Sequence, residues 1–368
     1  MEKAIISSLQ LFYILIGFEL GTAIILGLGS GAKQDAWLVI LVSTFAGVTL
    51  MGIYLKLARF YPNDTLVEII PKLIGKFFGY PVIVAYILYF IYIAGRVCRD
   101  LGELLVSTIL VDTPIGVIIA TFMVLVVYCL RGGIETLGRM GEVVFPIFLL
   151  SLMAIWILLL TVESFNPANL TPVIGNGMKP VLKEALPKTL SFPFGESVII
   201  LMLLPFLKNK RKAAFTGFAV IFISGIVLCV NSMLILSVLG PELYEKKFFP
   251  LLSATRLVSI ADFLERFDAL IILMMVAGVF FKVCGFTFCA ALGIAQLVKV
   301  KKIDSLLIGL GTIITPLSLL IGGNFIIFLK TGLELITNYV SPVMQIIFPS
   351  LLLCMALIKN KNQTKKLS

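Results

Sequence analysis

The sequence predicts an all-α, polytopic membrane protein with ten transmembrane helices and both termini in the cytoplasm. Of its 368 residues, 60% are apolar and only 14% are charged, whereas about 25% of the residues of a soluble domain are charged. Apolar stretches of about 20 residues, the length that crosses a bilayer as a helix, recur along the whole chain. Most of the 30 Lys and Arg residues fall between alternate pairs of these stretches.

Ten apolar segments meet the length requirement and are numbered spans 1 to 10. They are 9–29, 36–57, 81–111, 115–130, 142–162, 187–207, 213–239, 268–297, 303–323 and 339–358. Placing the N-terminus inside puts the short loops that are dense in Lys and Arg on the cytoplasmic side, where such residues are enriched. The net charge of +10 is explained in this way, and no nucleic-acid partner is predicted.

The spans predict a single transmembrane domain over residues 1–368, built from two halves of five helices. Its parts are the first repeat 9–162, an outer connector 163–186, the second repeat 187–358 and a basic cytoplasmic tail 359–368. The second outer loop, 240–267, mixes apolar and charged residues at helical spacing. One or two short helices lying across the outer face are expected there, with a surface loop as the alternative.

The sequence contains no constellation of catalytic or metal-binding side chains. It has no histidine, and its six cysteines lie within apolar segments without zinc spacing. Neither a cofactor nor an enzymatic activity is predicted.

Spans 1 and 6 are interrupted at matching positions. Span 1 contains GFELGTAI at 17–24, and span 6 contains SFPFGESV at 191–198. Each motif places helix-weakening or small residues and a Glu near the middle of an apolar run. Interrupted spans at the same position in two halves of a membrane protein are typical of a transporter-like binding site. Because each half has an odd number of spans, the second half is inverted relative to the first.

A broken helix frees backbone N–H and C=O groups, which can bind the anionic and cationic groups of a ligand. Such free backbone is tolerated at membrane depth only where it is buried in protein or lines a cavity. The candidate ligand-binding residues are Gly17, Phe18, Glu19, Gly21, Thr22, Phe192, Pro193, Phe194, Gly195, Glu196 and Ser197. The alternative, strongest for Gly17 and Gly21, is that glycines serve close helix packing.

Three ionisable residues lie near the centres of spans. Glu19, Glu196 and Lys282 each cost about 2.5–3.5 kcal/mol in the membrane if unpaired, so they are expected to face one another or a wet cavity. One Lys cannot neutralise two Glu. Either one Glu is protonated, or a ligand amine completes the balance, or another partner intervenes. The alternative is a separate structural hydrogen bond for each.

Span 3 carries a polar stripe on one helical face. Its members are Tyr92, Arg96, Arg99, Asp100 and Glu103. Two pairs at i,i+4 spacing, Arg96–Asp100 and Arg99–Glu103, can make it neutral. The stripe is expected to face the bundle interior, as a ladder of structural salt bridges or as a lining beside the site.

The chain resembles the membrane B subunit of spore germinant receptors, the GerAB family, within the amino acid–polyamine–organocation transporter superfamily. The resemblance rests on ISSLQLFYILIGFELGTAIILGLG, RGGIETLGRMGEVVFP, NLTPVIGNGMKPVLKEALP leading into SFPFGE, and FFPLLSATRLVSIADFLERFDAL. It implies a LeuT-like fold of 5+5 inverted repeats with spans 1 and 6 unwound. It also implies an A subunit and a lipoprotein C subunit as partners in the spore inner membrane, and a small germinant such as an L-amino acid.

In the superfamily the α-carboxylate and α-amine of an amino acid bind the unwound backbone, which the resemblance places at Gly17–Thr22 and Phe192–Ser197. Some sodium-independent relatives have a Lys ammonium in place of sodium, and Lys282 resembles that arrangement. Glu19 and Glu196 depart from the pattern, because both carboxylates would repel a substrate carboxylate. A nutrient sensor is the first hypothesis, a proton-coupled amino acid permease using Glu19 or Glu196 is the second, and a membrane scaffold is the third.

Overall fold

The structure, a computed structural model, describes residues 5–258, 268–300, 302–321 and 336–367. Within these ranges the regular secondary structure is helical, apart from an isolated backbone bridge between Ile6 and Leu207. Seven helical segments there are long and apolar enough to cross a membrane, and three shorter apolar helices lie at spans 1, 4 and 9. The predicted all-α membrane fold is confirmed, while the number of crossings and the side of the termini stay predictions.

Twelve α-helices are named among the described residues. They are α1 (Ser8–Leu20), α2 (Ala36–Phe60), α3 (Leu66–Thr108), α4 (Ile115–Arg131), α5 (Gly133–Leu160), α6 (Met178–Lys183), α7 (Ile200–Leu203), α8 (Ala213–Lys246), α9 (Pro250–Thr255), α10 (Asp268–Val298), α11 (Asp304–Leu320) and α12 (Phe348–Leu367). Span 10 begins with wide helical turns over 336–347 that lead into α12. The predicted basic tail lies on α12, without a break after span 10.

Helix α3 begins well before the predicted start of span 3 at residue 81. Thr65 and Glu68 form a capping box, in which the Thr65 N–H donates to Glu68 Oε2 at 3.0 Å. The chain then bends at Gly75, whose φ of +80° is a conformation that glycine adopts without a steric penalty. The T-x-x-E pattern before an apolar run was a usable signal for this helix start.

The second outer loop contains short helices, as expected. Helix α8 bends at Gly240 (φ +73°) and continues to Lys246, and α9 is a buried helix after it. An ion pair between Lys33 and Glu242, with 2.9 Å between Nζ and Oε1, joins this region to the turn between spans 1 and 2. Residues 259–267 of the predicted loop lie outside the described residues.

Spans five positions apart in the chain pack against each other. Helix α2 contacts α8, α3 contacts α10, α4 contacts α11, and α1 contacts the turn at Phe194–Ile199 in span 6. This pairing is expected of two five-helix repeats related by a two-fold axis. The interrupted spans 1 and 6 thus contact each other, and the boundaries of the two repeats stay a prediction.

Candidate ligand-binding site

The α-helix of span 1 ends in the middle of the span. Helix α1 stops at Leu20, and residues 21–26 form turns. Gly21 N–H still donates to the Gly17 carbonyl at 3.0 Å, and Ile24 N–H reaches the Leu20 carbonyl. Between them, the buried N–H groups of Thr22 and Ala23 form no hydrogen bond with a described residue. The break therefore presents two free backbone donors.

Span 6 is broken over a longer stretch than the sequence suggested. After α6, a wide helical turn covers Glu184–Thr189, and a tight 3₁₀ turn covers Phe194–Ile199 before α7. Pro193 has no N–H to donate, and its carbonyl accepts from Glu196 N–H at 3.0 Å. The predicted interruption of both spans is present in the structure.

Asn231 of α8 supports the break in span 1. Its Nδ2 donates to the Ile24 carbonyl at 2.7 Å, and its Oδ1 accepts from Trp156 Nε1 at 3.1 Å. This is interhelical hydrogen bonding of the kind that holds membrane helices together. The side chain satisfies a carbonyl that the broken helix leaves without its usual partner.

The glycines of both motifs lie against other spans. A Cβ on Gly17 would lie 3.0 Å from the Phe281 ring, and one on Gly21 would lie 2.9 Å from the Gly278 carbonyl oxygen. A Cβ on Gly195 would lie only 2.3 Å from Gln345 Oε1. These short distances agree with the alternative for Gly17 and Gly21, in which the glycines allow neighbouring helices to pack closely.

The central charges are unequally paired. Lys282 Nζ of α10 lies 2.5 Å from Glu196 Oε2, and the two side chains are 0% and 5% exposed. The same ammonium lies 4.3 Å from the Phe192 ring centre and 5.7 Å from that of Phe18. The structure thus brings Lys282 to the break in span 6, where Glu196 neutralises it.

Among the described residues, Glu19 has no charged partner within hydrogen-bonding distance. It is fully buried, and its Oε1 accepts from Ser197 Oγ at 2.8 Å, which joins the two breaks directly. Its Oε2 is buried and forms no hydrogen bond with any residue that the structure describes. Among the described residues, Lys282 forms an ion pair with Glu196 and none with Glu19, so Glu19 is the central carboxyl group without an ion-pair partner there.

Span 10 contributes a side chain that the sequence analysis missed. Gln345 lies in a wide helical turn, and its Nε2 donates to the Tyr89 hydroxyl at 2.7 Å. Its Oε1, beside Gly195, is buried and has no hydrogen-bond partner within the described part of the chain. The Tyr54 hydroxyl bridges the backbone carbonyls of Gly195 (3.3 Å) and Gln345 (2.6 Å). A Gln in the apolar run SPVMQIIFPS was the available signal, since a buried amide needs partners.

The polar stripe of span 3 faces the interior, and only one of its two predicted pairs forms. Arg99 Nη2 lies 2.6 Å from Glu103 Oε1. Arg96 Nη1 donates to Thr337 Oγ1 of span 10 at 3.3 Å instead of pairing with the buried Asp100. Among the described residues, no hydrogen bond or ion pair joins the stripe to the centre of the site, so it is a neighbour of the site and links spans 3 and 10.

Buried side-chain atoms without a partner are concentrated at the breaks. Such atoms include Glu19 Oε2, Thr22 Oγ1, Trp37 Nε1, Tyr92 Oη, Ser191 Oγ, Thr287 Oγ1 and Gln345 Oε1. Four of these residues belong to the two motifs or contact them. Buried polar atoms are normally hydrogen-bonded, so unsatisfied hydrogen-bonding capacity is grouped at the two breaks. The described ranges hold no group of three or more His, Cys, Asp or Glu side chains suited to a metal ion.

Comparison with known proteins shows sequence similarity to spore germination proteins over most of the chain. A family model described as spore germination protein matches residues 5–326. Spore germination protein KB of Bacillus subtilis (strain 168) is 35% identical over 366 residues, covering 99% of this chain and 98% of that protein. Spore germination protein YndE of the same organism is 28% identical over 290 residues, with 78% of each chain covered.

Solved transporter structures share the fold. MhsT in complex with L-phenylalanine superposes with a TM-score of 0.69 at 14% identity, covering 95% of this chain and 87% of that one. Mhp1, a nucleobase-cation-symport-1 family transporter in a closed conformation with bromovinylhydantoin bound, gives 0.63 at 12% identity, covering 93% and 75%. At these identities the likeness establishes the fold alone, which is the LeuT-like fold expected from the sequence.

Proposed function

The chain belongs to the spore germination protein family, and from that premise we propose that it is the membrane subunit of a nutrient germinant receptor. It is a multi-pass integral membrane protein with a transporter fold. In the proposal, an L-amino acid or similar small germinant binds at the breaks of spans 1 and 6. Binding triggers germination through an A subunit and a lipoprotein C subunit in the spore inner membrane.

The observation that carries the proposal is a set of unsatisfied donors beside an unsatisfied carboxylate. The free N–H groups of Thr22 and Ala23 suit a ligand carboxylate. Three residues before Thr22, Glu19 Oε2 is an unpartnered acceptor that suits an ammonium group. An α-amino acid carries these two groups of opposite charge close together. A zwitterion would satisfy the polar groups of the break in span 1 without adding net charge to the membrane interior.

The pairing of Lys282 with Glu196 removes the main objection to this pose. Two free carboxylates at the breaks would repel the carboxylate of an amino acid. Because Glu196 is neutralised at 2.5 Å by Lys282, the repulsion that remains comes from Glu19. The ammonium of the ligand would offset that charge. Of the three ways to balance Glu19, Glu196 and Lys282 that the sequence left open, this is the one in which a ligand amine completes the charge balance.

Signalling in this proposal depends on two conformations with different affinity for the germinant. Ser197 Oγ already joins the two breaks through Glu19, so a ligand held by Glu19 acts on both spans at once. A ligand that binds one state about 100-fold more tightly shifts the equilibrium by about 2.7 kcal/mol. The partner subunits would respond to that shift.

The test replaces Glu19 by Gln, which keeps the shape and the hydrogen bond to Ser197 but removes the charge. A hydrogen bond to a charged group contributes about 1.5–3 kcal/mol. The germinant concentration for half-maximal germination is therefore expected to rise about 10- to 100-fold. Glu242→Gln, which removes an exposed carboxylate, is the matched control and should leave the dose-response unchanged.

Spores carrying each variant at equal membrane abundance would be titrated with L-amino acids. A Glu19→Gln dose-response that coincides with that of the wild type would refute the assignment of Glu19 to the ligand site.

A proton-coupled amino acid permease is the second candidate, favoured by the buried free oxygen of Glu19. In that case Glu19 would take up and release the coupled proton. Vesicles containing this protein alone would be given a radiolabelled amino acid and an inward proton gradient. Accumulation would establish a permease. Absence of accumulation, together with germinant-dependent solute release that requires the other subunits, would establish a receptor.

A further inference from the structure

A cavity of about 470 Å³ lies at the predicted cytoplasmic end of the bundle, away from the breaks. It is lined by the end of α2, by Pro62 in the turn that follows and by Leu204 at the inner end of span 6. Lys210 and Arg211 just before α8, and Ala213 and Ala214 at its start, complete the lining. It therefore opens where the lipid headgroups of the inner leaflet would meet the protein.

Three of the nine residues that line the cavity are basic. Arg59, Lys210 and Arg211 line it, and its lining contains no acidic residue. Arg59 and Arg211 are exposed and form no ion pair with any described carboxylate. Lys210 Nζ donates to the Pro62 carbonyl and to Asn63 Oδ1, which holds it in place and leaves a third N–H for another acceptor. The three cations are suited to a phosphate.

The rest of the lining is apolar, and exposed aromatic side chains continue from it along α8. It is formed by Leu55, Ala58, Leu204, Ala213 and Ala214. Phe218 and Phe222 follow Ala214 at intervals of four residues, so they lie on the same face of α8. Their side chains are 37% and 53% exposed. An occupant would thus meet cations in the cavity and an apolar helix face beside it.

We propose that this cavity binds the headgroup of an anionic phospholipid, with its phosphate on Arg59 and Arg211 and an acyl chain along Phe218 and Phe222. Basic pockets between membrane helices on the cytoplasmic side are suited to such headgroups. Orientation of the protein in the membrane requires only that Lys and Arg be present on this side. Lys208 and Lys212 meet that requirement and lie outside the cavity lining. Membrane orientation therefore does not explain why Arg59, Lys210 and Arg211 line one cavity.

The test compares two double variants that remove the same net charge. The purified full-length chain, its Arg59→Gln/Arg211→Gln variant and its Lys208→Gln/Lys212→Gln variant would be placed in phosphatidylcholine nanodiscs with and without phosphatidylglycerol. Native mass spectrometry would count retained lipids. Retention of phosphatidylglycerol is expected in the wild type and in the Lys variant, with at least a tenfold loss in the Arg variant. Glycerol phosphate and inorganic phosphate alone should not displace the lipid, because they lack the acyl chain.

Equal retention in the two double variants, equal retention of phosphatidylcholine and phosphatidylglycerol, or displacement by inorganic phosphate would each overturn the proposal. If the double Arg variant does not fold, the single Arg211→Gln variant takes its place. It is expected to lose retention relative to the single Lys212→Gln variant.

Discussion

Replacement of Lys282 by Met is expected to lower the free energy of unfolding by about 3–5 kcal/mol. The change leaves Glu196, whose side chain is 5% exposed, without the ammonium that lies 2.5 Å from its Oε2. It also removes the contact of that ammonium with the Phe192 ring at 4.3 Å. A carboxylate left alone at membrane depth costs about 2.5–3.5 kcal/mol on insertion scales, and the lost ring contact, up to about 2 kcal/mol when desolvated, adds to this.

The double variant Glu196→Met/Lys282→Met is expected to unfold within about 1 kcal/mol of the wild type. Replacing both members of a buried ion pair by apolar side chains of similar volume is often neutral, because neither charge is left without its partner. The exposed pair of Lys33 and Glu242, at 2.9 Å, supplies the control. Lys33→Met should lower the free energy of unfolding much less than Lys282→Met does, since exposed pairs contribute little.

The measurement is equilibrium unfolding of the purified protein in mixed micelles with increasing dodecyl sulfate, followed by circular dichroism. The double-mutant cycle yields the coupling between the two residues. The reasoning is wrong if Lys282→Met unfolds within 1 kcal/mol of the wild type, or if the double variant is no more stable than the worse single variant.

Two further changes test how the broken spans are packed, in the same unfolding assay. Gly278→Ala would place a Cβ 2.3 Å from Gly21 Cα and should lower the free energy of unfolding by about 1–3 kcal/mol. Gly309→Ala is the control, because its Cβ position is open, and it should raise the free energy of unfolding by about 0.5–1 kcal/mol. Equal effects of the two variants would contradict the close contact of spans 1 and 8. Asn231→Leu removes the donor that lies 2.7 Å from the Ile24 carbonyl and should lower the free energy of unfolding by about 1–2 kcal/mol. Unchanged stability would show that this carbonyl needs no protein partner.

Features that depend on local sequence were predictable. GFELGTAI and SFPFGESV predicted interruptions in spans 1 and 6, because Pro193 lacks an N–H and glycine weakens a helix wherever the span lies. The early start of α3 was missed, although the capping box of Thr65 and Glu68 was readable in the sequence. The greater extent of the break in span 6, with wide turns over Glu184–Thr189, had no comparably clear local signal.

Features that depend on distances between spans were not predictable. The sequence left three ways to balance Glu19, Glu196 and Lys282, and the structure pairs Lys282 with Glu196 alone. Gln345 was overlooked because its importance comes from Gly195 and Tyr89, far away in the chain. The partner of Arg96 is Thr337 on another span, although Asp100 is at the right spacing on the same helix.

The sequence by itself determined that this protein is helical, embedded in the membrane and broken in spans 1 and 6. These properties follow from apolar length and from backbone chemistry, which act over a few residues. Only the tertiary structure decided that Glu19 keeps a free carboxylate oxygen beside free N–H groups while Glu196 is neutralised. Ion pairs and hydrogen bonds require contact within a few ångströms, and the packing of helices distant in the chain determines which side chains come that close.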